Sequence, residues 1–123
     1  MSDAPDTAPF AFAGLDRLFH ERARLGIVTS LAGNPEGLAF GELKRLCGLT
    51  DGNLSRHLAA LEEAEYVAIA KHTSKRRPVT MCRLTRQGRE RFIAYLAVLE
   101  TALREGTRAT LGARDGEVEP GIA

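Results

Sequence analysis

The sequence predicts a mainly α-helical domain with one small β-hairpin and an additional C-terminal helix. Apolar residues recur at helical spacing in four segments, and two short runs ahead of the last segment alternate with a period of two. The length of 123 residues fits one hydrophobic core. The chain is 44% hydrophobic, which excludes a wholly disordered protein, and no run approaches the roughly 18 apolar residues of a membrane-spanning helix.

Both ends of the chain have the composition of flexible segments, rich in Pro, Gly and small polar residues. We expect a flexible leader at 1–13, a folded domain at 14–110 and a disordered tail at 111–123. The first residues lack the basic stretch and apolar core of a secretory signal, so we expect a cytoplasmic protein. Two cysteines are too few for a disulfide framework or a four-cysteine zinc site, and we expect neither metal nor cofactor.

The first two helices are delimited by their turns. The first helix begins near Leu15 and ends at 33–35, where Gly-Asn-Pro supplies the usual stop chemistry. Its second half is apolar almost all round, which predicts burial on two sides. The second helix runs over about 40–47, and a short turn at 48–49 leads into the third helix.

The third helix, over about 50–64, has the clearest pattern in the chain. Thr50 can cap its first turn, and three leucines at i, i+4 and i+7 form a narrow apolar stripe. Arg56 lies on the opposite face between Asn53 and Ser55, among small residues that let a helix approach a groove closely. Because its glutamates gather at the C-terminal end, we expect the N-terminal half to be free of repulsion toward phosphate.

A basic hairpin follows the third helix. Alternating runs at 66–70 and 79–84 predict two strands, and the loop between them contains Lys75, Arg76 and Arg77. We expect this loop to project from the domain as a wing.

Charge is concentrated in and after the hairpin. The segment 71–91 holds eight basic residues and one acidic residue, a net charge of +7 that leaves −6 on the rest of the chain, whose total is +1. A basic segment in an otherwise acidic chain indicates an anionic partner that docks at one place, although a solvated charge run is the alternative.

The last helix, over about 85–105, carries a wider apolar face than one contact needs. The residues with seam spacing are Phe92, Leu96, Leu99 and Leu103, and Tyr95 widens the face. A second copy of the chain can cover this face, together with the apolar residues Leu15, Leu18 and Phe19 of the first helix. We therefore expect a homodimer, with ordinary core packing as the alternative.

Helix, helix, short turn, helix and basic hairpin is the order of a winged helix-turn-helix. Residues 40–67, FGELKRLCGLTDGNLSRHLAALEEAEYV, and 75–96, KRRPVTMCRLTRQGRERFIAYL, resemble the small winged-helix transcriptional regulators related to the MarR and ArsR types. The most specific element is L-T-x-G-N-L-S-R-H-L-x-x-L-E, followed by the R-R-P tip and by L-T-x-x-G-R. The resemblance covers about residues 15–104.

The resemblance implies a homodimeric regulator of transcription that binds double-stranded DNA. It implies that the third helix enters the major groove and that the wing, about 71–83, lies on the minor groove or backbone. The residues that it assigns to DNA are Asn53, Ser55, Arg56 and His57 on the helix and Lys75, Arg76 and Arg77 on the wing. Arg can bond two acceptors of guanine and Asn can do the same with adenine, while Thr50 and Ser55 suit phosphate oxygens. A packing or capping role is the alternative for His57.

Three places depart from the family pattern. Glu65 stands where many relatives have Gly, and Ala39 lacks the hydroxyl that would complete a capping box with Glu42. Met81 and Cys82 replace bulkier aromatic residues. We expect both cysteines of the chain in the core, and Cys82, near several arginines, is the candidate for a reactive thiol.

No catalytic arrangement is recognisable in the sequence. Ser55 and His57 lie two positions apart on a helix, where they point away from each other and cannot share a proton. We expect no enzyme. The alternative to a DNA-binding regulator is a winged helix that docks onto a larger regulatory complex, and the sequence leaves the operator and any small-molecule effector open.

Overall fold

The computed structural model describes residues 8–116, which form four helices and one three-stranded antiparallel sheet. This is the winged helix-turn-helix with an additional C-terminal helix that the sequence predicts. The elements follow one another as α1 (Arg22–Ala32), β1 (Leu38–Ala39), α2 (Phe40–Cys47), α3 (Asp51–Glu63), β2 (Val67–Ser74), β3 (Arg77–Leu84) and α4 (Arg86–Gly116).

Helix α1 begins at Arg22, seven residues later than the expected start near Leu15. The segment before it consists of turns, and the Asp16 carboxylate accepts a hydrogen bond from the Leu18 N–H at 2.9 Å. Side chains that bond to nearby backbone groups in this way compete with helix formation. The Glu21 carboxylate then accepts from the Arg24 N–H at 3.1 Å and caps the first turn of α1.

The helix-turn-helix confirms the predicted boundaries. Helix α2 ends at a left-handed Gly48 with φ 64°, and the Leu49 N–H returns to the Lys44 carbonyl at 3.2 Å. Thr50 caps α3, because its hydroxyl accepts from the Asn53 N–H at 3.1 Å. At the start of α2 the Glu42 carboxylate accepts from the Ala39 N–H at 3.2 Å, which is one of the two hydrogen bonds of a capping box. The other needs a side-chain acceptor at position 39, which alanine lacks.

The hairpin is longer and its turn is tighter than the sequence predicts. Strands β2 and β3 stay paired out to Ser74 and Arg77, so the expected eight-residue loop is a two-residue turn of Lys75 and Arg76. Both turn residues have positive φ, 51° and 68°, as the hairpin turns that match strand twist require. The outer part of the hairpin is exposed on both faces, so it carries no apolar alternation by which its strands could be recognised.

The short strand β1 was not predicted. Leu38 pairs with Cys82 and Ala39 with Met81, which places β3 in the middle of the sheet. Two residues are too few to show a periodic pattern, and the pairing depends on partners more than 40 positions away in the chain.

Helix α4 continues to Gly116, beyond the expected end near 105. The Thr85 hydroxyl accepts from the Gly88 N–H at 2.9 Å and caps the first turn of α4. The expectation of a disordered tail is wrong for residues 111–116, which are helical, while residues 117–123 lie outside the described part of the chain. An ion pair between Arg108 and Glu105, 3.3 Å apart, supports the added turns despite glycines that each cost about 1 kcal/mol in a helix. Of the expected leader, residues 8–13 consist of turns and irregular chain, and residues 1–7 also lie outside the described part.

The core lies between the helices and the inner face of the sheet. Its centre is an aromatic cluster in which the Phe19 ring lies 5.2 Å from Tyr66, 5.3 Å from Phe92 and 5.5 Å from Tyr95, measured between centroids. These contacts hold α4 and the segment before α1 against the base of the hairpin. The buried apolar side chains are Phe19, Ile27, Val28, Leu31, Leu38, Leu43, Leu54, Leu58, Leu61, Tyr66, Val67, Cys82, Leu84, Phe92 and Tyr95.

Candidate nucleic-acid interface

The outer face of α3 presents the side chains that the sequence assigned to DNA. Thr50, Asn53, Ser55 and Arg56 are all exposed, while the leucine stripe on the opposite face is buried. The Arg56 guanidinium donates to the Asn53 side-chain carbonyl oxygen at 3.4 Å. The two side chains are therefore close enough to act on neighbouring bases, and each is free enough to turn toward a ligand.

One carboxylate lies in the N-terminal half of α3, contrary to the expectation that this half is free of repulsion toward phosphate. Asp51, at the first position of α3, is 74% exposed. Its side chain pairs with Lys44 of α2, with 2.8 Å between carboxylate and ammonium. An exposed pair of this kind adds little to stability, but the lysine offsets the charge that Asp51 would otherwise present to a phosphate.

His57 is placed differently from its neighbours on α3. The side chain is 4% exposed and faces α1, where its Nδ1 accepts from Nε of Arg24 at 3.1 Å. Burial lowers the pKa of His57, and Arg56 and Arg24 lower it further, against the raising effect of Glu21. A buried imidazole cannot reach a phosphate on the outer face, so its assignment to direct DNA contact is corrected in favour of the packing alternative. Its partner Arg24 was missed because the pairing spans 33 positions and leaves no local pattern.

The wing carries its cations at the tip of the hairpin. Lys75, Arg76 and Arg77 are exposed, as is the whole outer part from Ala70 to Pro78. Two turn residues held at positive φ place the Lys75 and Arg76 side chains at the extreme end.

A groove joins the base of the wing to α3. It has a volume of about 430 Å³, and Ser55 of α3 lines it together with Lys71 and Thr80 of the hairpin. Ser55 of α3 thus lies beside the base of the wing, together with the carboxylate residue Glu62, whereas Asn53 and Arg56 line a separate cavity between α3, α2 and the start of α1. Lys71 belongs to the basic segment identified in the sequence, whereas Thr80 had no pattern that could have revealed it.

The structure divides the expected dimerisation residues into two groups. Phe19, Phe92 and Tyr95 are at most 5% exposed because they form the aromatic centre of the single chain. These three side chains are therefore already buried within one protomer and have little surface left for a partner. Leu96 and Leu103 are 42% and 64% exposed. The remaining three of the set are half-buried and pack at the edge of the core: Leu15, Leu18 and Leu99.

The exposed leucines belong to a longer apolar surface on α4. Ile93 and Leu111, which lie outside the seam spacing predicted from the sequence, are 60% and 52% exposed. A shallow groove of about 450 Å³ runs along the distal half of the helix between Leu103 and Leu111. This half extends past the core residues, since Tyr95 is the last fully buried side chain on α4 among those described.

The thiols have the environments of core residues. Cys82 is fully buried, and burial together with Glu62 raises the pKa of its thiol to about 11. The idea that nearby arginines activate Cys82 is therefore wrong, because the reactive form of a cysteine is the thiolate. Cys47 is half-buried, with its sulfur 3.8 Å from the Ser30 hydroxyl.

Neither a metal site nor a membrane span is found in the described part of the chain. Residues 8–116 contain no group of three or more His, Cys, Asp or Glu side chains that could hold a metal ion. No helix among them is both long and apolar enough to cross a bilayer.

Comparison with known proteins decides the family. Residues 23–103 match the sequence model of a family described as the winged helix DNA-binding domain. The chain belongs to this family. The match includes α2, α3 and the hairpin, so it covers the whole candidate interface.

The winged helix relatives include transcriptional regulators. The chain is 38% identical over 80 residues to the uncharacterized protein MJ0432 of Methanocaldococcus jannaschii, covering 65% of this chain and 86% of that protein. The structure of a transcriptional regulator homologue from Pyrococcus horikoshii OT3 is 27% identical, with a TM-score of 0.67 over 72% of this chain and 86% of that one. The crystal structure of MarR is 25% identical, with a TM-score of 0.62 over 85% and 72% of the two chains.

The chain is thus a MarR-like winged helix and a DNA-binding transcriptional regulator, as the resemblance of its motifs implied. Its family and these structural neighbours are regulators of transcription rather than enzymes.

Proposed function

We propose that this regulator binds a pseudo-palindromic DNA duplex as a homodimer, with α3 in the major groove and the wing on the minor groove or backbone. The observation that carries the proposal is the groove lined by Ser55, Lys71 and Thr80, which places one edge of the exposed face of α3 beside the base of the wing. One duplex can then contact both elements at once.

Helix α3 supplies the chemistry for reading bases. Arg56 can donate two hydrogen bonds to the O6 and N7 atoms of a guanine, and Asn53 can pair with the N6 and N7 atoms of an adenine. Thr50 and Ser55 are exposed hydroxyls near the helix N-terminus, where backbone N–H groups and the helix dipole favour phosphate. Thr50 already serves as the cap, so its hydroxyl proton is the part that remains for a phosphate oxygen.

The wing supplies affinity that does not depend on sequence. Lys75, Arg76 and Arg77 are exposed at its tip, and each cation that neutralises a phosphate releases a counterion. Binding through these residues therefore weakens steeply as salt is raised.

The distal half of α4 supplies the dimer contact. An isolated helix with Leu96, Leu103 and Leu111 exposed to water gains by burying them, and a second copy of the chain presents the same surface by symmetry. In such a dimer the two α3 helices lie about 34 Å apart, one turn of the duplex, which predicts half-sites about 10 base pairs apart. We place the protein in the cytoplasm with its DNA and propose no cofactor.

The experiment that tests this function is selection of bound sequences from a library of random duplexes. The wild type is expected to enrich a pseudo-palindrome. Arg56→Ala is expected to weaken binding to that sequence by about 1–3 kcal/mol and to relax the preference at one position of each half-site. Arg86→Ala is the matched control, because Arg86 is 93% exposed and lies beyond the base of the hairpin, about 26 Å from the wing tip at about 3.3 Å per strand residue.

Two results would contradict the proposal. If no sequence is enriched at low salt, the alternative of a domain that docks onto a larger complex replaces it. If Arg56→Ala loses equal affinity for the selected and for unrelated duplexes, Arg56 contacts the backbone and does not read a base.

A further inference from the structure

A partly buried hydrogen bond joins the recognition helix α3 to α1. His57 follows Arg56 in sequence, but its imidazole points inward and is 4% exposed. Nε of Arg24 donates to Nδ1 of His57 at 3.1 Å. Within residues 8–116 this is the one side-chain hydrogen bond that joins α1 to α3.

The donor chemistry of this pair fixes the protonation state of the histidine. A guanidinium group has N–H donors and no acceptor, so His57 must offer a lone pair at Nδ1. The imidazole is then neutral and carries its proton on Nε2. A proton added at Nδ1 would face the Nε–H of Arg24 directly, and the hydrogen bond would be lost.

The charged groups around His57 add to this constraint. Glu21, at the cap of α1, raises the pKa of the imidazole, whereas Arg24 of α1 lowers it. Arg56 of α3 is a second cation that lowers this pKa. The ionisable group that α2 contributes to the same cavity is the Cys47 thiol, and Arg22 lies at the cavity edge. A protonated His57 would be a buried cation between two arginines with one exposed carboxylate to offset it.

We propose that Arg24 and His57 are positioning residues for DNA binding, and that protonation of His57 at mildly acidic pH breaks their bond and moves the reading face of α3. The inference rests on the proposed function, since it concerns the same face of α3. Arg56 and Asn53 lie one and four positions before His57, so a shift of the imidazole away from α1 turns or tilts the residues that would contact bases.

The sign of the pH dependence follows from linkage. The pKa of His57 is lowered in the folded state, chiefly by burial, from about 6.5 in the unfolded chain. The unfolded state therefore binds the proton more readily, and the stability of the paired arrangement falls as pH drops below about 6.5. If DNA requires the paired state, affinity is expected to fall only as the pH approaches the lowered pKa of His57, below 6.5, and by at most about tenfold per pH unit.

The test measures the Kd of the duplex selected at pH 8 for the full chain, from pH 8 to pH 5.5 at constant ionic strength. The wild type is expected to lose affinity below pH 6.5. His57→Gln keeps a side-chain oxygen that accepts from Arg24 but does not titrate, so it is expected to bind like the wild type at pH 8 and to lose the acid step. His20→Gln replaces a histidine outside the proposed interface and is expected to keep the step.

Two further measurements keep the inference testable if His57→Gln folds poorly. Arg24→Met retains the apolar stem without the donor, and it is expected to lower affinity at pH 8 about three- to tenfold. In the wild type, an NMR titration of the imidazole is expected to show His57 still neutral at pH 6.5, because burial lowers its pKa below that value.

The outcomes separate the inference from the proposed function. Binding at pH 8 with superimposable pH profiles for the wild type and His57→Gln would refute the positioning role alone, as would a normal affinity of Arg24→Met at pH 8. Failure of the wild type to bind any duplex at pH 8 would refute the proposed function and the positioning role with it.

Discussion

Replacing Glu65 by glycine is expected to stabilise the protein. Glu65 follows the C-cap of α3 with φ 65°, a left-handed conformation that costs a residue with a side chain about 1–2 kcal/mol. The conformation is enforced, because the Tyr66 N–H returns to the Leu61 carbonyl at 2.9 Å and the Thr85 hydroxyl donates to the Glu65 carbonyl at 2.8 Å. The greater conformational freedom of glycine in the unfolded chain offsets about 0.5–1 kcal/mol of this relief. The free energy of unfolding is therefore expected to rise by about 0.5–1 kcal/mol.

This gain can be measured by thermal unfolding at fixed protein concentration. For a domain of this size the expected rise in Tm is about 2–8 °C. Glu65→Ala is the control, since it removes the same carboxylate from a helix C-terminus but keeps a Cβ at positive φ. It is expected to change the free energy of unfolding by less than about 0.5 kcal/mol. Equal Tm values for the glycine and alanine variants would refute backbone strain at Glu65, because the effect would then come from charge.

Two further predictions concern the wing and α4. Arg76→Ala combined with Arg77→Ala is expected to weaken binding to selected and unrelated duplexes alike and to reduce the slope of log Kd against log salt by about 2. Arg86→Ala is the control and is expected to leave that slope unchanged. An unchanged slope in the wing variant would show that the tip does not contact phosphate. Leu103→Glu is expected to dissociate the dimer in sedimentation experiments with little loss of protomer stability, because Leu103 is 64% exposed in the single chain. Thr101→Glu, about 160° round the helix, is expected to leave the dimer intact, and a dimer that survives Leu103→Glu would place the interface elsewhere.

The helix-turn-helix could be predicted closely from sequence because its signals are local. Thr50 lies three positions before the N–H group that it caps, and Gly48 supplies the left-handed residue that ends α2. The strain at Glu65 could be anticipated for the same reason, from the residue type that the family prefers there. The cap at Thr50 and the turn at Gly48 depend on neighbours within about one helical turn.

What the sequence could not predict depends on distant partners or on mixed signals. The burial of His57 depends on Arg24, 33 positions away, and Phe19 packs in the core against three aromatic rings from two other segments. The distal part of α4 contains glycines that resemble the composition of a flexible tail, yet the chain there is helical. The helical spacing of apolar residues shows which of them share one face of a helix. It does not show whether the same chain or a second copy covers that face.

The central claim is that α3 and the wing of one protomer contact the same duplex. The most direct measurement is the change in backbone amide chemical shifts by NMR when the selected duplex is added to the protein at pH 8. The largest changes are expected together at 50–56 and at 74–77, with small changes at the exposed start of α4 near Arg86. Large shifts confined to one of the two regions, or centred on α4, would contradict the account.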